Sequence, residues 1–211
     1  MDRLSAPLYK NFLTKVWLPE LLPDVHEKLT AGGTVADIGC GFGRALTEMA
    51  HAYPNSRFVG YEPDKTSARQ AENLAKKEDV EDRVEILNAP SGEMPAEKFD
   101  FITTFDVIHD LANPQEVIND IRRAIKTDGT YLMMEFNCSA RLEENINPLG
   151  KLMYSSSTMY CLPYSLSQNG AGIGCAMGQE LPKQMCREAG FSHFQKLDFE
   201  HPFNVLYEIR V

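Results

Sequence analysis

The chain has 211 residues, 43% hydrophobic and 24% charged, with a formal net charge of −9, which suits one ordinary globular core and leaves little room for two domains. An acidic surface repels phosphate backbones and no Lys/Arg block offsets it, so nucleic acid is not an expected partner. No apolar run reaches the ~18 residues of a membrane span, and the charged opening MDRLSAPLYKNFLTKVW lacks the apolar centre of a signal peptide.

Residues 4–30 read as helical, interrupted at Pro19 and Pro23, and make an N-terminal helical cap over 1–30. Within it Tyr9, Phe12 and Trp17 suit plain helix packing, with part of a lid as the alternative. TVADI (34–38) is a buried strand, and Ala45, Leu46, Met49 and Ala50 line one face of the helix after it. RFVGY (57–61) is a second strand, 64–77 a polar-faced helix and RVEIL (83–87) a third strand. FDFITTF (99–105) is a fourth. A helix follows from about Pro114 to Lys126, stopping near Asp128-Gly129, and TYLMMEF (130–136) is a fifth strand. After a helix in QELPKQMCREAG, FQKLDF and NVLYEIRV form an antiparallel hairpin around Glu200-His201-Pro202. Strands alternating with helices at this spacing predict an α/β fold. It is a Rossmann-like, doubly wound, seven-stranded sheet, mostly parallel with the antiparallel hairpin at its C-terminal end.

Residues 138–178 break the rhythm. The stretch is rich in Ser, Asn, Gly, Tyr and Met, with only weak helical signals, and is too long for a connector. It is expected to be an inserted segment within a single domain spanning 1–211, serving as a lid with a substrate surface or as a dimerisation element. The five cysteines are scattered, with no C-x-x-C pair. They fit free thiols in the cytoplasm, and no His/Cys/Asp spacing resembles a metal site, so no metal is expected.

The chemistry begins at VADIGCGFGRALTEMA (35–50), where a strand runs through Gly39, Gly41 and Gly43 into a helix N-terminus. Such a loop brings backbone N–H groups and the positive end of a helix dipole to one point, and ligands of these sheets bind beyond the carboxyl ends of the strands. A dinucleotide fingerprint G-x-G-x-x-G fails here: counted from Gly39 the third glycine would be Arg44, and counted from Gly41 it would be Leu46. A diphosphate also leaves Asp37 unexplained. A cationic amino-acid ligand explains it better, and S-adenosylmethionine carries both an α-ammonium and a sulfonium that Asp37 attracts. Cys40 lies inside the loop, small enough to fit. In VGYEPD, Glu62-Pro63 ends the second strand roughly 20 residues after the loop, where a carboxylate accepts ribose hydroxyls. Asn88-Ala89, after the third strand, sits where an adenine edge can be read.

VADIGCGFG, FVGYEPD, FDFITTFDVIHDLANP and RRAIKTDGTYLMME together resemble the successive motifs of class I S-adenosylmethionine-dependent methyltransferases over about residues 34–136. FDVIHDLANP, the 147–178 stretch and CREAGFSHFQ…FNVLYEIR resemble a bacterial, transcriptional-regulator-like group within that class. Members of that group commonly carry an N-terminal winged-helix domain, which this chain lacks, so it is expected to be a short form or a catalytic fragment. Relatives usually have Asp where this chain has Glu62, and many have Asp where it has Asn88. The resemblance implies methyl transfer to a small-molecule O, N, S or C nucleophile, with S-adenosylhomocysteine (SAH) as product. It also implies that the backbone of Phe105 and Asp106 lies along the cofactor.

His109, one helical turn beyond the fourth strand, is the candidate general base, with shaping of the pocket as its plainer role. Asp110 suits a cap or a partner for it. Tyr154, Thr158, Tyr160 and Tyr164 in the insertion are candidate substrate contacts, and the same rings would serve a homodimer interface or a packing core. Two other readings stay open: a catalytically silent module that binds S-adenosylmethionine, and an NAD-type oxidoreductase, which Arg44 disfavours.

Overall fold

The computed structural model describes residues 2–211, with side chains from Ser5 onward. Seven strands form one sheet: β1 (Thr34–Ile38), β2 (Arg57–Tyr61), β3 (Val84–Leu87), β4 (Phe99–Phe105), β5 (Ile125–Phe136), β6 (His193–Lys196) and β7 (Asn204–Arg210). Their order is β3-β2-β1-β4-β5-β7-β6. β1 pairs in parallel with β2 and β4, β2 in parallel with β3, and β6 antiparallel with β7. This is the doubly wound α/β sheet expected from the sequence, with its antiparallel C-terminal pair. The strand order reverses between β1 and β4, which makes their carboxyl ends the topological switch point.

The chain groups into two compact units, one running to Thr104 with Arg123–Tyr131, the other comprising Phe105–Arg122 and Leu132–Val211. In the first unit, α1 (Asp2–Leu8), a π-helical run over Tyr9–Leu21 and α2 (Pro23–Ala31) precede β1. The sequence predicts a break at Pro19, but the wider π winding passes through it. Pro23 opens α2 at its first turn, where a missing N–H loses no hydrogen bond. Leu13, Trp17 and Leu18 are fully buried on the π-helical run, which packs against α3 (Arg44–Ala52). Burial of each such side chain is worth about 1.5–3 kcal/mol. In α4 (Lys65–Lys77), Asp64 caps the N-terminus by accepting the Ser67 N–H at 2.8 Å, and Ala68, Ala71 and Ala75 make the buried stripe.

The second unit carries most of α5 (Pro114–Ala124). This helix stops short of the predicted Lys126, because Ile125 is already a buried strand residue and β5 runs unbroken through Asp128-Gly129. The insertion is more helical than its composition suggests: α6 (Pro148–Ser156), a π-helical turn (Ser157–Cys161) and α7 (Leu162–Ser167) follow one another directly, and α8 (Glu180–Glu188) comes after. Asn147 caps α6 by accepting the Gly150 N–H at 2.9 Å. Met153, Ser157, Cys161 and Ser165 are all buried at four-residue spacing, which an α-helix would rotate off one face and the wider π turn corrects. Ser157 accepts the Cys175 N–H at 3.1 Å and Ser165 donates to the Leu111 carbonyl at 2.9 Å, so small hydroxyls pin this face. Among the described residues no helix is long and apolar enough to cross a membrane.

Candidate functional site

In the first unit the loop after β1 holds Gly39, Gly41 and Gly43 at φ of 67°, 55° and 75°, a conformation that side chains resist. The N–H groups of Gly39 and Cys40 donate to the Tyr61 carbonyl at 2.8 and 3.3 Å. The Gly41 N–H donates to Glu62 Oε2 at 2.9 Å, and Glu62 Oε1 accepts the Asp64 N–H at the same distance. The glycines are bare for different reasons. A Cβ on Gly43 would come within 3.0 Å of Ala71 Cβ, so α4 takes that space, whereas a Cβ on Gly41 would meet nothing within 4 Å. At Gly41 the bare backbone faces room for something else. Cys40 is buried, its sulfur filling the space a side chain on Gly60 would need. Burial, reinforced by Asp37 and Glu62, pushes its thiol well up, away from the reactive thiolate.

Asp37 is 3% exposed and accepts the Thr103 hydroxyl at 2.7 Å on Oδ1. β1 pairs with β4 in the register that sets Asp37 against Thr103. Burial, with a smaller contribution from the Glu62 charge, raises its pKa to about 7 against the help of that hydroxyl. Burial likewise raises Glu62, opposed by the two N–H groups it accepts. Asn88 donates from Nδ2 to the Glu62 and Pro63 carbonyls at 2.9 Å each, and the neighbouring Ala89 is buried.

In the second unit Asp106 holds a left-handed φ of 56°, strained for a residue with a Cβ. Its N–H donates to the Met134 carbonyl at 2.9 Å, and its Oδ1 accepts the Asn204 amide at 2.8 Å. Burial, then the charge of Glu135, lifts its pKa to about 8. His109 is fully buried. Its Nδ1 lies 2.5 Å from Glu135 Oε2, and Glu135 Oε1 accepts the Ile108 N–H at 2.9 Å. Its Nε2 lies 3.1 Å from Asp110 Oδ1. Burial opposes the imidazolium, yet the Glu135 and Asp110 carboxylates outweigh it and hold the pKa well above the usual value. His109 thus stands between two acids.

The insertion residues make local contacts with one another. Tyr154 takes an Asn145 amide N–H at 3.2 Å on its hydroxyl, and the Thr158 hydroxyl donates to the Tyr154 carbonyl at 2.8 Å. Tyr160 and Tyr164 stack with ring centroids 6.0 Å apart and stand half-exposed, beside the exposed Met159. Sequence pattern does not single out Thr103, Glu135 or Asn204. The sole hint is an acid inside the apolar strand YLMMEF.

With this loop-and-acid arrangement at the switch point of a 3-2-1-4-5-7-6 sheet, residues 29–199 match the methyltransferase domain family, and the chain belongs to it. It is 29% identical over 108 residues to the polyketide synthase ThaQ of Burkholderia thailandensis, covering 51% of this chain and 5% of that protein. It is 29% identical over 110 residues to the 27-O-demethylrifamycin SV methyltransferase of Amycolatopsis mediterranei, covering 51% of this chain and 40% of that one. The chain thus spans less than half the length of either relative. Its fold superposes on the structure of PigF with SAH at a TM-score of 0.67 and 19% identity, covering 84% of this chain and 50% of the other.

Proposed function

We propose that the protein moves a methyl group from S-adenosylmethionine to a small-molecule nucleophile. The observation that carries this reading is Gly41: bare, left-handed, facing open space, and held at its N–H by the acid that ends β2. The surrounding residues fit the donor. Asp37 in its ionised form offers a buried carboxylate to the ammonium end. Each Glu62 oxygen accepts one N–H and retains a second acceptor direction, enough for two ribose hydroxyls. Asn88 commits its amide nitrogen to two carbonyls and keeps Oδ1 for an adenine amino group. Gly39, Cys40, Gly43, Pro63 and Ala89 shape the lining.

The bound donor supplies an already activated methyl group, so the protein's work is to orient the acceptor and exclude water. A base must present a free nitrogen to the acceptor. His109 has both nitrogens against carboxylates, which supports reading it as a positioning residue that fixes the turn after β4. An oxygen acceptor comes first, in keeping with the name of the 27-O-demethylrifamycin SV methyltransferase. The stacked pair Tyr160–Tyr164 offers the acceptor an aromatic surface.

The test is SAH formation from S-adenosylmethionine across a panel of phenols, enols, amines and thiols. Acceptor-dependent SAH supports the reading. Tight donor binding with no turnover on any acceptor would overturn transfer and leave a silent binding module.

A further inference from the structure

Sequence spacing shows no metal-ligand pattern, because the residues concerned lie far apart in the chain. The fold brings them together: one nitrogen of His109, one carboxylate oxygen of Asp110 and the sulfur of Cys161 all lie within 4.8 Å of one another. His109 and Asp110 come from the turn after β4, and Cys161 ends the π-helical turn of the insertion. Such turns recur at functional sites.

Two features point to a ligand. Nε2 of His109 and Oδ1 of Asp110 are buried and face each other at 3.1 Å, a contact that lacks the alignment of a hydrogen bond. In a tetrahedral site with nitrogen and oxygen donors about 2.0–2.1 Å from the ion, two donors are separated by roughly 3.3 Å. Two buried donor atoms at this separation match an edge of such a site. The second feature is the far side of the ring. Nδ1 of His109 faces Glu135 at 2.5 Å, and Glu135 is itself fixed by the Ile108 N–H at 2.9 Å. A carboxylate behind a histidine sets its orientation and raises its basicity as a ligand.

We propose that His109 Nε2, Asp110 Oδ1 and Cys161 Sγ form a binding site for a single divalent cation of borderline softness, zinc above all. Mixed N, O and S donors select this class over magnesium or calcium. Loading releases the Cys161 thiol proton and takes Nε2 of His109 in its unprotonated form, and the ion ties the turn after β4 to the insertion helix. Cys161 and His109 are buried, whereas the Asp110 side chain is 17% exposed and marks the side from which the ion arrives.

The test uses the full chain, stripped with a chelator and titrated with zinc, and with cobalt as a spectroscopic probe. The expected result is one ion per chain, a cysteinate-to-cobalt charge-transfer band with the visible bands of four-coordinate cobalt, and a higher melting temperature with zinc. Cys161→Ser should abolish the charge-transfer band, Asp110→Asn should weaken binding, and Glu135→Gln should weaken it by about 10–100-fold. Cys186→Ser, at a cysteine outside the three-residue cluster, should leave the stoichiometry of one ion per chain and the charge-transfer band unchanged. Circular dichroism establishes that each variant is folded, and SAH affinity is measured in parallel so that this site and the donor site fail separately. Absence of zinc binding, or binding that survives both Cys161→Ser and Asp110→Asn, overturns the proposal.

Discussion

The carboxylate of Glu62 grips the backbone of Gly41 at 2.9 Å, so the acid that ends β2 already shapes the loop that follows β1. Its other oxygen holds Asp64, the residue that caps α4. One side chain therefore organises the loop and the start of the next helix before any ligand is present. Hydrogen bonds to a charged group contribute about 1.5–3 kcal/mol each. Glu62→Ala is expected to weaken SAH binding by roughly 10–100-fold, as read by calorimetry. An unchanged dissociation constant would remove Glu62 from the site.

The pH dependence follows from Asp37. Its folded pKa of about 7 stands above the ordinary 3.8, so the folded state holds a proton the unfolded chain has released. Its contribution to stability is therefore fully present below about pH 4, falls as pH rises toward 7, and is level above that. A cationic ligand selects the ionised form. Affinity for S-adenosylmethionine should rise with pH up to about 7 and then flatten, with a proton released on binding at pH 6. Asp37→Asn should remove this slope and weaken binding, with no loss of fold in urea titrations.

Thr103 donates to Asp37 and lowers a pKa that burial raises. Thr103→Val keeps the shape and removes the donor, so the midpoint of the pH–affinity curve should move upward. Calorimetry between pH 6 and 9 reads the shift, and an unmoved midpoint would mean that Asp37 does not control it.

The two glycines should separate by experiment. Gly43→Ala drives a methyl against Ala71 at a left-handed φ, and a stability loss of about 2–3 kcal/mol is expected. Gly41→Ala meets open space, so its stability loss should be confined to the backbone, about 1–2 kcal/mol, while donor affinity falls steeply. Urea denaturation paired with calorimetry distinguishes them, and equal losses of affinity would contradict the assignment.

How far the sequence carries is clear from particular elements. β4 begins and ends where FDFITTF does, and the glycine loop declares itself, because both signals are local in the chain. The partner of Gly43 does not, since Ala71 reaches it only once α3 and α4 pack. Glu135 reads as one acid in an apolar strand, and its place behind His109 depends on the pairing of distant segments. The helical run through the insertion is hidden by its Ser, Gly and Tyr content. Four-residue spacing of Met153, Ser157, Cys161 and Ser165 signals a buried face only if a π turn is allowed.

The most direct measurement is calorimetric titration of the purified, folded chain with S-adenosylmethionine, SAH and NAD. Saturable binding of one molecule of either sulfur nucleotide per chain, with no heat from NAD, is the expected result. Indifference to both sulfur nucleotides at millimolar concentration would contradict the assignment of the Asp37–Gly41–Glu62 cradle and with it the proposed reaction.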